Sequence, residues 1–391
     1  MQVVITTNSP GETAAWVRPV ALALFKLGVH VDVVVTPCTF ASGKETAFLL
    51  KQEGIRNVYP PERYWAIATG REKIPREQNG CVLFLGGDIL HAKRLGKILN
   101  YPVAIYSTGR ADKNVDLVFV PNQKVKSQVL ERVKEEKVKI VGDLMLSSLS
   151  YRQLPKNNNQ IALFPGSRGH MQSILPFFLA MAEEMKQRDS SLEFVISFSP
   201  FIGAEEIKNA LKKPNQALGG VCGQFTSDRQ IETNLGLKIP YYQNRQYEIM
   251  ETSTLAFIIP GTNSAQMTCY GVTTVVVLPL HIARDIPLEG LVGLTGSIPF
   301  VGPIFKEKLI WKKASTIKFT ALPNLLVGKE IVPEVRGFLS ADNLASFALE
   351  IFNDKRLLQE ISKTLLTLYP ENNADELIAN TLVRRWGSAR R

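Results

Sequence analysis

Short apolar runs rich in β-branched residues recur along the first part of the chain and alternate with segments of helical spacing. The runs are 2–6, 30–36, 81–86, 103–107, 116–120 and 137–142. Strands that are covered on both faces read as near-continuous apolar runs, so this pattern predicts parallel strands. The intervening segments 89–99 and 124–136 place apolar residues on one helical face. Alternating strands and helices predict a doubly wound α/β domain.

A polar break at 151–160, with one proline and three consecutive asparagines, has the composition of a linker or hinge. The pattern then restarts with a helix at 171–188 and with strands at 161–165, 192–199, 255–260 and 273–280. We therefore expect two Rossmann-like domains, 1–155 and 156–350, and a helical tail, 351–391, whose helices pack back on the first domain. Two such halves would face a central cleft with the carboxyl ends of their strands, where α/β sheets bind ligands.

The 391 residues carry a formal net charge of +10, and this excess attracts phosphates of any kind. No zinc-finger or RNA-binding signature is present, so nucleic acid is not an expected partner. No Cys/His spacing fits a metal site, and we expect neither a metal nor a cofactor. The N-terminus lacks the basic start and apolar core of a signal peptide, and no window is apolar enough to span a bilayer. These features predict a cytoplasmic protein.

The turn Gly166-Ser167-Arg168-Gly169 lies between an apolar strand and a long helix. It has neither Walker A nor GxGxxG spacing. Free backbone N–H groups at the start of a helix favour an anion, and the guanidinium of Arg168 could bind a phosphate through two hydrogen bonds. Alternatively, the glycines only permit a tight turn.

A second turn, Gly261-Thr262-Asn263-Ser264, repeats this strand–turn–helix geometry. Its N–H groups could hold a second phosphate, while Thr262 or Ser264 could instead be an ordinary helix cap. Gln266 falls in the first turn of the following helix. Two such turns at successive strand ends favour a site for a nucleotide diphosphate.

Two carboxylates follow apolar strands in the first half. Asp88, in "FLGGDILHA", precedes a helix, where an aspartate is either an N-cap or a general base facing the cleft. Glu12 occupies the equivalent place after the first strand. Both residues are candidates for catalysis.

With these positions in hand, the chain resembles the lipid-A-disaccharide synthase family of two-domain GT-B glycosyltransferases. "NSPGE" resembles the family's Gly-Glu turn, and "IVGDLMLSSL" resembles its Val-Gly-His-Pro-Leu segment. "IALFPGSRGHMQSILP" is similar to its Pro-Gly-Ser-Arg segment, and "PGTNSAQMTCYGVTTVVV" to its Gly-Thr-Ala-Thr-Leu-Glu segment. The closest match is "ALPNLLVGKEIVPEV", with its Leu-Pro-Asn and Val-Pro-Glu.

The resemblance implies an inverting, metal-independent transfer from a UDP-activated, acylated glucosamine donor to a lipid-linked sugar acceptor. Arg168 would meet the donor phosphates, and the turn 261–264 would meet the diphosphate. Gln266 would lie beside the ribose, Asn324 would shape the donor site, and Asp88 would deprotonate the attacking hydroxyl. The resemblance also implies a homodimer.

The first half departs from the family pattern. The family reads Gly-Glu-x-Ser-Gly-Asp, whereas Glu12 is followed here by Thr13-Ala14-Ala15-Trp16, and "GGDILHA" replaces Asp-x-Pro-Asp-Phe-Asn. Gln266 stands where the family has glutamate. The acceptor can therefore differ from that of the family. Two alternatives are an enzyme similar to UDP-N-acetylglucosamine 2-epimerase and a non-catalytic UDP-sugar-binding protein.

The segment 288–313 is apolar, broken by glycine and proline, and then basic. Its end combines a tryptophan with four lysines, namely Trp311, Lys306, Lys308, Lys312 and Lys313. Aromatic and aliphatic residues beside lysines suit the interface of an anionic leaflet, so peripheral binding to the cytoplasmic membrane is expected. A buried loop that packs on the second domain is the alternative.

Overall fold

The computed structural model describes residues 1–37, 43–109, 111–147, 149, 154–166, 170–261, 263–280, 318–368 and 373–387. Its strands are β1 Gln2–Thr7, β2 His30–Val35, β3 Ile55–Tyr59, β4 Gly80–Phe84, β5 Val103–Tyr106, β6 Leu117–Val120, β7 Val138–Ile140, β8 Asn157–Phe164, β9 Glu193–Phe198, β10 Gly223–Phe225, β11 Gln230–Thr233, β12 Lys238–Gln243, β13 Ser253–Ile258, β14 Thr273–Pro279 and β15 Glu334–Gly337.

The α-helices are α1 Pro10–Glu12, α2 Arg18–Lys26, α3 Glu45–Leu49, α4 Pro61–Ala68, α5 Ile89–Leu99, α6 Gln123–Leu130, α7 Leu144–Ser147, α8 Met171–Arg188, α9 Ala204–Lys212, α10 Gln246–Thr252, α11 Asn263–Cys269, α12 Leu322–Val327, α13 Ala341–Asn353, α14 Lys355–Leu368 and α15 Ala374–Trp386. A π-helical turn, Thr13–Val17, joins α1 to α2, and a 3₁₀ turn, Glu135–Lys137, precedes β7. In the described part of the chain no helix is both long and apolar enough to cross a membrane.

The first unit comprises Met1–Leu149 and Glu371–Arg391. Its seven strands are all parallel and follow the order β3-β2-β1-β4-β5-β6-β7. Apolar residues pack on both faces of this sheet, with Val3 and Ile5 on one side and Val4 on the other. The structure thus confirms the predicted doubly wound α/β domain with buried parallel strands.

The last helix, α15, returns to the first unit. Its buried residues Ala374, Ile378 and Leu382 share a core with Val20 and Leu24 of α2. The two preceding helices, α13 and α14, belong instead to the second unit. The helical tail is therefore divided between the two units.

The second unit comprises Ser150–Pro370, and its sheet has the order β10-β11-β12-β9-β8-β13-β14-β15. The six strands from β12 to β15 pair in parallel, and β10, β11 and β12 form an antiparallel extension that the sequence pattern does not predict. The long helix α8 covers this sheet and supplies much of the second core, including Phe177, Phe178 and Met181. Two Rossmann-like sheets are thus present, as predicted.

The polar break is shorter than the sequence indicates, because β8 begins at Asn157 and not at 161. The first residues of β8 extend beyond the apolar core, and hydrogen bonds to polar groups hold them in place of apolar packing. The amide of Gln160 donates to the hydroxyls of Thr252 and Ser253, at 2.8 Å each, and Thr254 Oγ1 donates to the carbonyl of Asn157 at 2.9 Å. Strands were predicted from runs of apolar residues, so the polar first residues of β8 were not included in the prediction.

Candidate functional site

The two glycine turns of the second unit leave the same edge of its sheet. Strands β8 and β13 are parallel neighbours, with Leu163 opposite Phe257 and Phe164 opposite Ile258. Because both strands end there, Gly166 and Gly261 follow at adjacent positions on the carboxyl edge. This is the edge where ligands bind in open α/β sheets.

Gly166 has a φ of +98°, and a Cβ at this position would collide with the side chains of Ile259 and His170. Only glycine fits both the backbone conformation and the close packing. Ser167 and Arg168, which follow it, lie outside the described residues, and their contact with phosphates stays a prediction.

The hydroxyl of Ser264 ties its turn to the next element of the unit. It donates to the carbonyl of Gly261 at 2.8 Å and accepts the N–H of Leu322, the first residue of α12, at 3.2 Å. The side chain is 1% exposed. Ser264 therefore shapes the turn, while Gly261 is exposed and has no neighbouring atom within 4 Å of where a Cβ would be.

Two other predicted residues of this turn differ in burial. Asn263, the first residue of α11, is half-buried, whereas Gln266 is only 6% exposed. Thr262 lies outside the described part of the chain. The role of Gln266 beside a ribose stays a prediction.

Asn324 is fully buried and uses its whole amide within the fold. Its Nδ2 donates to the carbonyl of Val332 at 2.8 Å and to Glu334 at 2.9 Å. Its Oδ1 accepts the N–H groups of Ile331 at 2.7 Å and Val332 at 2.9 Å. Any effect of Asn324 on a ligand therefore acts through the position of α12 and the 331–334 segment.

Glu334 completes this arrangement, which we call the Asn–Glu clamp (Asn324 and Glu334). Its carboxylate accepts hydrogen bonds from the backbone N–H groups of Thr320 and Ala321, from the hydroxyl of Thr320 and from Arg336. Burial alone raises the pKa of Glu334, but these hydrogen bonds outweigh it and the pKa falls below its usual value. The motif Leu-Pro-Asn with Val-Pro-Glu thus fixes the start of α12, which Ser264 contacts.

In the first unit, Glu12 and Asp88 follow the neighbouring parallel strands β1 and β4. Gly86 has a φ of +146°, and a Cβ there would collide with the Glu12 carboxylate. Glu12 therefore lies against the turn that leads to Asp88. The structure brings the two predicted carboxylates to one edge of the sheet.

Asp88 is the N-cap of α5. Its Oδ1 accepts the N–H of Leu90 at 2.9 Å, and its side chain is exposed. Its second oxygen, Oδ2, has no hydrogen-bond partner among the described residues. The cap that the sequence predicts is therefore present, and one oxygen remains for other chemistry.

A cluster of three aromatic residues, which includes His91 of the helix that Asp88 caps, was not predicted. His91, in the first turn of α5, lies with its Nδ1 2.5 Å from the hydroxyl of Tyr64, and their rings meet edge to face at 4.5 Å. Burial lowers the pKa of His91, and the Asp88 carboxylate partly opposes this effect. Trp65, 62% exposed, lies 6.3 Å from the His91 ring. His91 was visible in "GGDILHA", whereas α4, which carries Tyr64 and Trp65, gave no signal.

The residue that replaces the family's aspartate in the first turn has a packing role. Trp16 lies in the π-helical turn, and its indole meets the ring of Tyr106 edge to face at 5.2 Å. The hydroxyl of Tyr106 in turn donates to the carbonyl of Gly142 at 3.2 Å. Trp16 is therefore partly buried and packs against the core of the first unit.

No protein-family model matches the chain. Among curated proteins it is similar to lipid-A-disaccharide synthase of Sulfurihydrogenibium sp., with 26% identity over 215 residues, and to that of Wigglesworthia glossinidia brevipalpis, with 24% over 222 residues. These alignments cover 54% and 56% of this chain and 46% of each relative. The match thus spans about half the length of the curated relatives.

Solved structures match over nearly the whole chain. UDP-GlcNAc 2-epimerase from Neisseria meningitidis bound to UDP-GlcNAc has a TM-score of 0.57 at 13% identity, covering 98% of this chain and 100% of that one. The S. aureus MnaA–UDP structure gives 0.56 at 14%, with 98% and 96% covered. The spinosyn forosaminyltransferase SpnP gives 0.51 at 10%, with 98% and 99% covered.

At these identities the structural matches show the fold alone. Epimerases and a glycosyltransferase share it, so it does not choose between their activities. The sequence matches, which rest on aligned residues, point to one family. The chain is a divergent relative of the lipid-A-disaccharide synthases and has two Rossmann-like units of the GT-B type.

Proposed function

We propose that the protein is an inverting, metal-independent glycosyltransferase that uses a UDP-activated, acylated glucosamine-type donor. The acceptor in this proposal is a lipid-linked sugar. The observation that carries the proposal is the pair of glycine turns at the carboxyl ends of the neighbouring strands β8 and β13. The similarity to lipid-A-disaccharide synthases supports the same activity.

The donor diphosphate is assigned to the turns that begin at Gly166 and Gly261. Because the Ser264 hydroxyl is already engaged by Gly261 and Leu322, backbone N–H groups of its turn are the better phosphate ligands. Arg168 supplies the positive charge that stabilises UDP as it leaves, in place of a metal ion. Gln266 is assigned to the ribose.

Asp88 is assigned as the general base. The acceptor hydroxyl attacks the anomeric carbon, its proton passes to the carboxylate of Asp88, and the bond to UDP breaks with its electron pair staying on the diphosphate. Asp88 suits this role because it is exposed and its Oδ1 is anchored by the Leu90 N–H. Glu12, which lies against Gly86, is assigned as the second carboxylate of this site.

The acylated donor and lipid-linked acceptor call for access to a membrane. The segment 288–313 is the proposed contact with an anionic cytoplasmic leaflet, and it lies outside the described residues. Flotation with vesicles of phosphatidylglycerol tests this, and we expect binding at low salt that is lost at high salt. Absence of binding at low salt would remove the membrane proposal.

The second candidate is a 2-epimerase, which is favoured by the full-length similarity of fold to UDP-GlcNAc 2-epimerases. A third is a UDP-sugar-binding protein without activity, which is favoured by the packing role of Trp16 in the altered first turn. The three candidate functions predict different products from a bound UDP-sugar.

The deciding experiment incubates the purified protein with UDP-amino sugars, with and without acyl groups, and with a panel of lipid-linked sugar phosphates. A glycosyltransferase releases UDP only when an acceptor is present and yields a disaccharide by mass spectrometry. An epimerase inverts C2 of the donor without an acceptor. UDP binding in a calorimeter without either product would support the non-catalytic reading. Light scattering on the same sample tests the homodimer that the family implies.

A further inference from the structure

A groove in the first unit lies away from the carboxyl-edge residues described above. It lies between β7, the edge strand of the sheet, and α15, and has a volume of about 340 Å³. Its lining consists of Lys139 from β7 and of five residues from α15, namely Leu377, Asn380, Thr381, Arg384 and Arg385. This volume lies in the range of small-ligand pockets, roughly 300–1,000 Å³.

The groove concentrates positive charge without a balancing carboxylate. Within the described chain neither Lys139, Arg384 nor Arg385 forms an ion pair. Other arginines of the protein are paired, as Arg56 is with Asp32 and Glu77. Three cations that share one groove repel each other, so the groove favours an anion that would neutralise them.

The acidic residues of α15 do not provide that neutralisation. Asp375 and Glu376 both lie in its first turn, whereas the two arginines lie in its last turn. More than two turns of helix, about 12–15 Å, separate these groups along the axis. The positive end of the groove therefore stays uncompensated.

The helix dipole explains only part of this arrangement. Arginines in the last turn stabilise a helix because its C-terminus carries partial negative charge. Lys139, however, belongs to a strand that is more than 200 residues earlier in the chain, so a preference for basic residues at the end of this helix does not account for its place in the groove. Its presence in the same groove is an independent contribution of a third cation.

The remaining lining residues suit a phosphate ester. Arginine presents donors in a planar fork that matches phosphate oxygens, and Thr381 offers a hydroxyl. Asn380 also lines the groove, and its amide donates to the carbonyl of Glu376 at 2.9 Å. Leu377, 41% exposed, adds an apolar surface for the organic part of an ester.

We propose that the β7–α15 groove binds the phosphate group of an organic phosphate ester, with Lys139, Arg384 and Arg385 as its cationic ligands. The ester is either a free phosphate compound or the head group of an anionic lipid, since both present the same chemistry. This proposal does not depend on the proposed glycosyl transfer, which uses other residues.

The test compares the wild type with the triple variant Lys139→Gln, Arg384→Gln, Arg385→Gln. A matched control, Lys51→Gln, Lys97→Gln, Lys124→Gln, loses the same charge from exposed lysines of the first unit that form no ion pair in the described chain. Surface substitutions of this kind change stability by about 0.5 kcal/mol or less, and thermal melting verifies that all three proteins fold. The probes are glycerol 3-phosphate by calorimetry and phosphatidylglycerol vesicles by sedimentation, with phosphatidylcholine vesicles as the neutral reference.

All measurements are repeated with Arg168→Ala added, so that phosphate bound at the second-unit turns is not counted. We expect the groove variant to bind at least one probe about tenfold more weakly or worse, and the control to match the wild type. Loss of glycerol 3-phosphate binding identifies a soluble ester, and loss of vesicle binding alone identifies a lipid head group. The proposal is overturned if the groove variant binds both probes as tightly as the wild type, if the control variant is weakened equally, or if the wild type binds neither probe.

Discussion

The carboxyl edges of the two sheets differ in how their polar groups are used. In the second unit, Ser264 and Asn324 are buried, the Glu334 side chain is 4% exposed, and all three direct their hydrogen bonds to neighbouring backbone and side chains. In the first unit, Asp88 is exposed with a single cap bond, and the nearby side chains of Trp65 and Leu90 are 62% and 63% exposed.

The buried polar groups of the second unit hold the backbone in place, whereas the exposed carboxylate of Asp88 is free to react. A turn that must present N–H groups to a diphosphate has to be held rigidly, and buried hydrogen bonds hold it. A general base has to reach a solvent-borne hydroxyl, which a saturated carboxylate cannot do. This difference agrees with the proposed function, in which the second unit binds the nucleotide and the first unit binds the acceptor.

The sharpest test of the comparison is Asp88→Asn. Asparagine caps a helix as well as aspartate does, so we expect the melting temperature to be unchanged. It cannot accept the proton, so transfer should slow by about 10²- to 10⁴-fold while UDP affinity stays constant. Asp88→Ser is the second cap-preserving control and should be equally slow. An Asp88→Asn enzyme with wild-type turnover would contradict the assignment of the base.

Arg168→Ala tests whether the first glycine turn is a phosphate site. Loss of a charge-assisted, two-point contact is expected to weaken UDP binding by about 100-fold. Arg168→Lys keeps the charge but loses the fork, and should be intermediate. Calorimetry with UDP gives the affinities. If both variants bind UDP as tightly as the wild type, the turn 166–169 does not bind the phosphates of UDP.

Asn324→Ala tests whether the buried hydrogen bonds of the Asn–Glu clamp stabilise the second unit. It leaves two buried N–H groups, one carbonyl and one carboxylate oxygen short of a partner, so we expect the free energy of unfolding to fall by about 2–4 kcal/mol. Asn209→Ala, an exposed helical asparagine of the same unit, is the control and should change little. Urea unfolding measures both. If Asn324→Ala lowers the free energy of unfolding no more than Asn209→Ala does, the Asn–Glu clamp does not stabilise the second unit.

The amino edge of the first sheet carries a carboxylate, Glu77, that is fully engaged in hydrogen bonds and ion pairs, in contrast to Asp88. There Glu77 accepts hydrogen bonds from His30 and Arg56 and pairs with the amino terminus, which lowers its pKa from 4.5 to about 2 although burial opposes the shift. Because the folded pKa lies below the ordinary one, the stabilisation is complete above pH 4.5 and is lost as the pH falls towards 2.

Glu77→Gln should therefore lower the free energy of unfolding by about 1–2 kcal/mol at pH 7, with the difference from the wild type vanishing near pH 2. Glu53→Gln, an exposed glutamate without an ion pair in the described residues, is the control. Urea unfolding at pH 7, 5 and 3 follows the difference. A difference that does not depend on pH would contradict the role of the Glu77 charge.

Much of the fold follows from local patterns. The helices α5 and α8 begin and end at the predicted residues, because each has an apolar face and a defined start, at Asp88 for α5 and at the glycine turn for α8. Strand β3 was missed because its exposed residues Arg56 and Asn57 interrupt the apolar run. The antiparallel extension β10–β12 was missed for the same reason, since only Ile231 and Ile239 are fully buried in its two longer strands.

The candidate site was predicted in part. The cap at Asp88 and the turns at Gly166 and Gly261 follow from residue types and from their place after a strand. The inward role of Asn324 could not be predicted, because its partners Ile331, Val332 and Glu334 reach it only through the turn after α12. Nor could the sequence show that the Ser264 hydroxyl is engaged by Leu322, 58 residues away.

The two α/β units, the glycine turns and the resemblance to the lipid-A-disaccharide synthases can be predicted from the amino-acid pattern, since these depend on short-range periodicity, backbone freedom and local motifs. The packing of the sheets and helices sets which polar groups form hydrogen bonds within the fold and which remain for a ligand. It also decides that Lys139 meets Arg384 and Arg385 in one groove. Hydrogen bonds and charge clusters join residues that are distant along the chain, and their partners are fixed only when the sheets and helices pack.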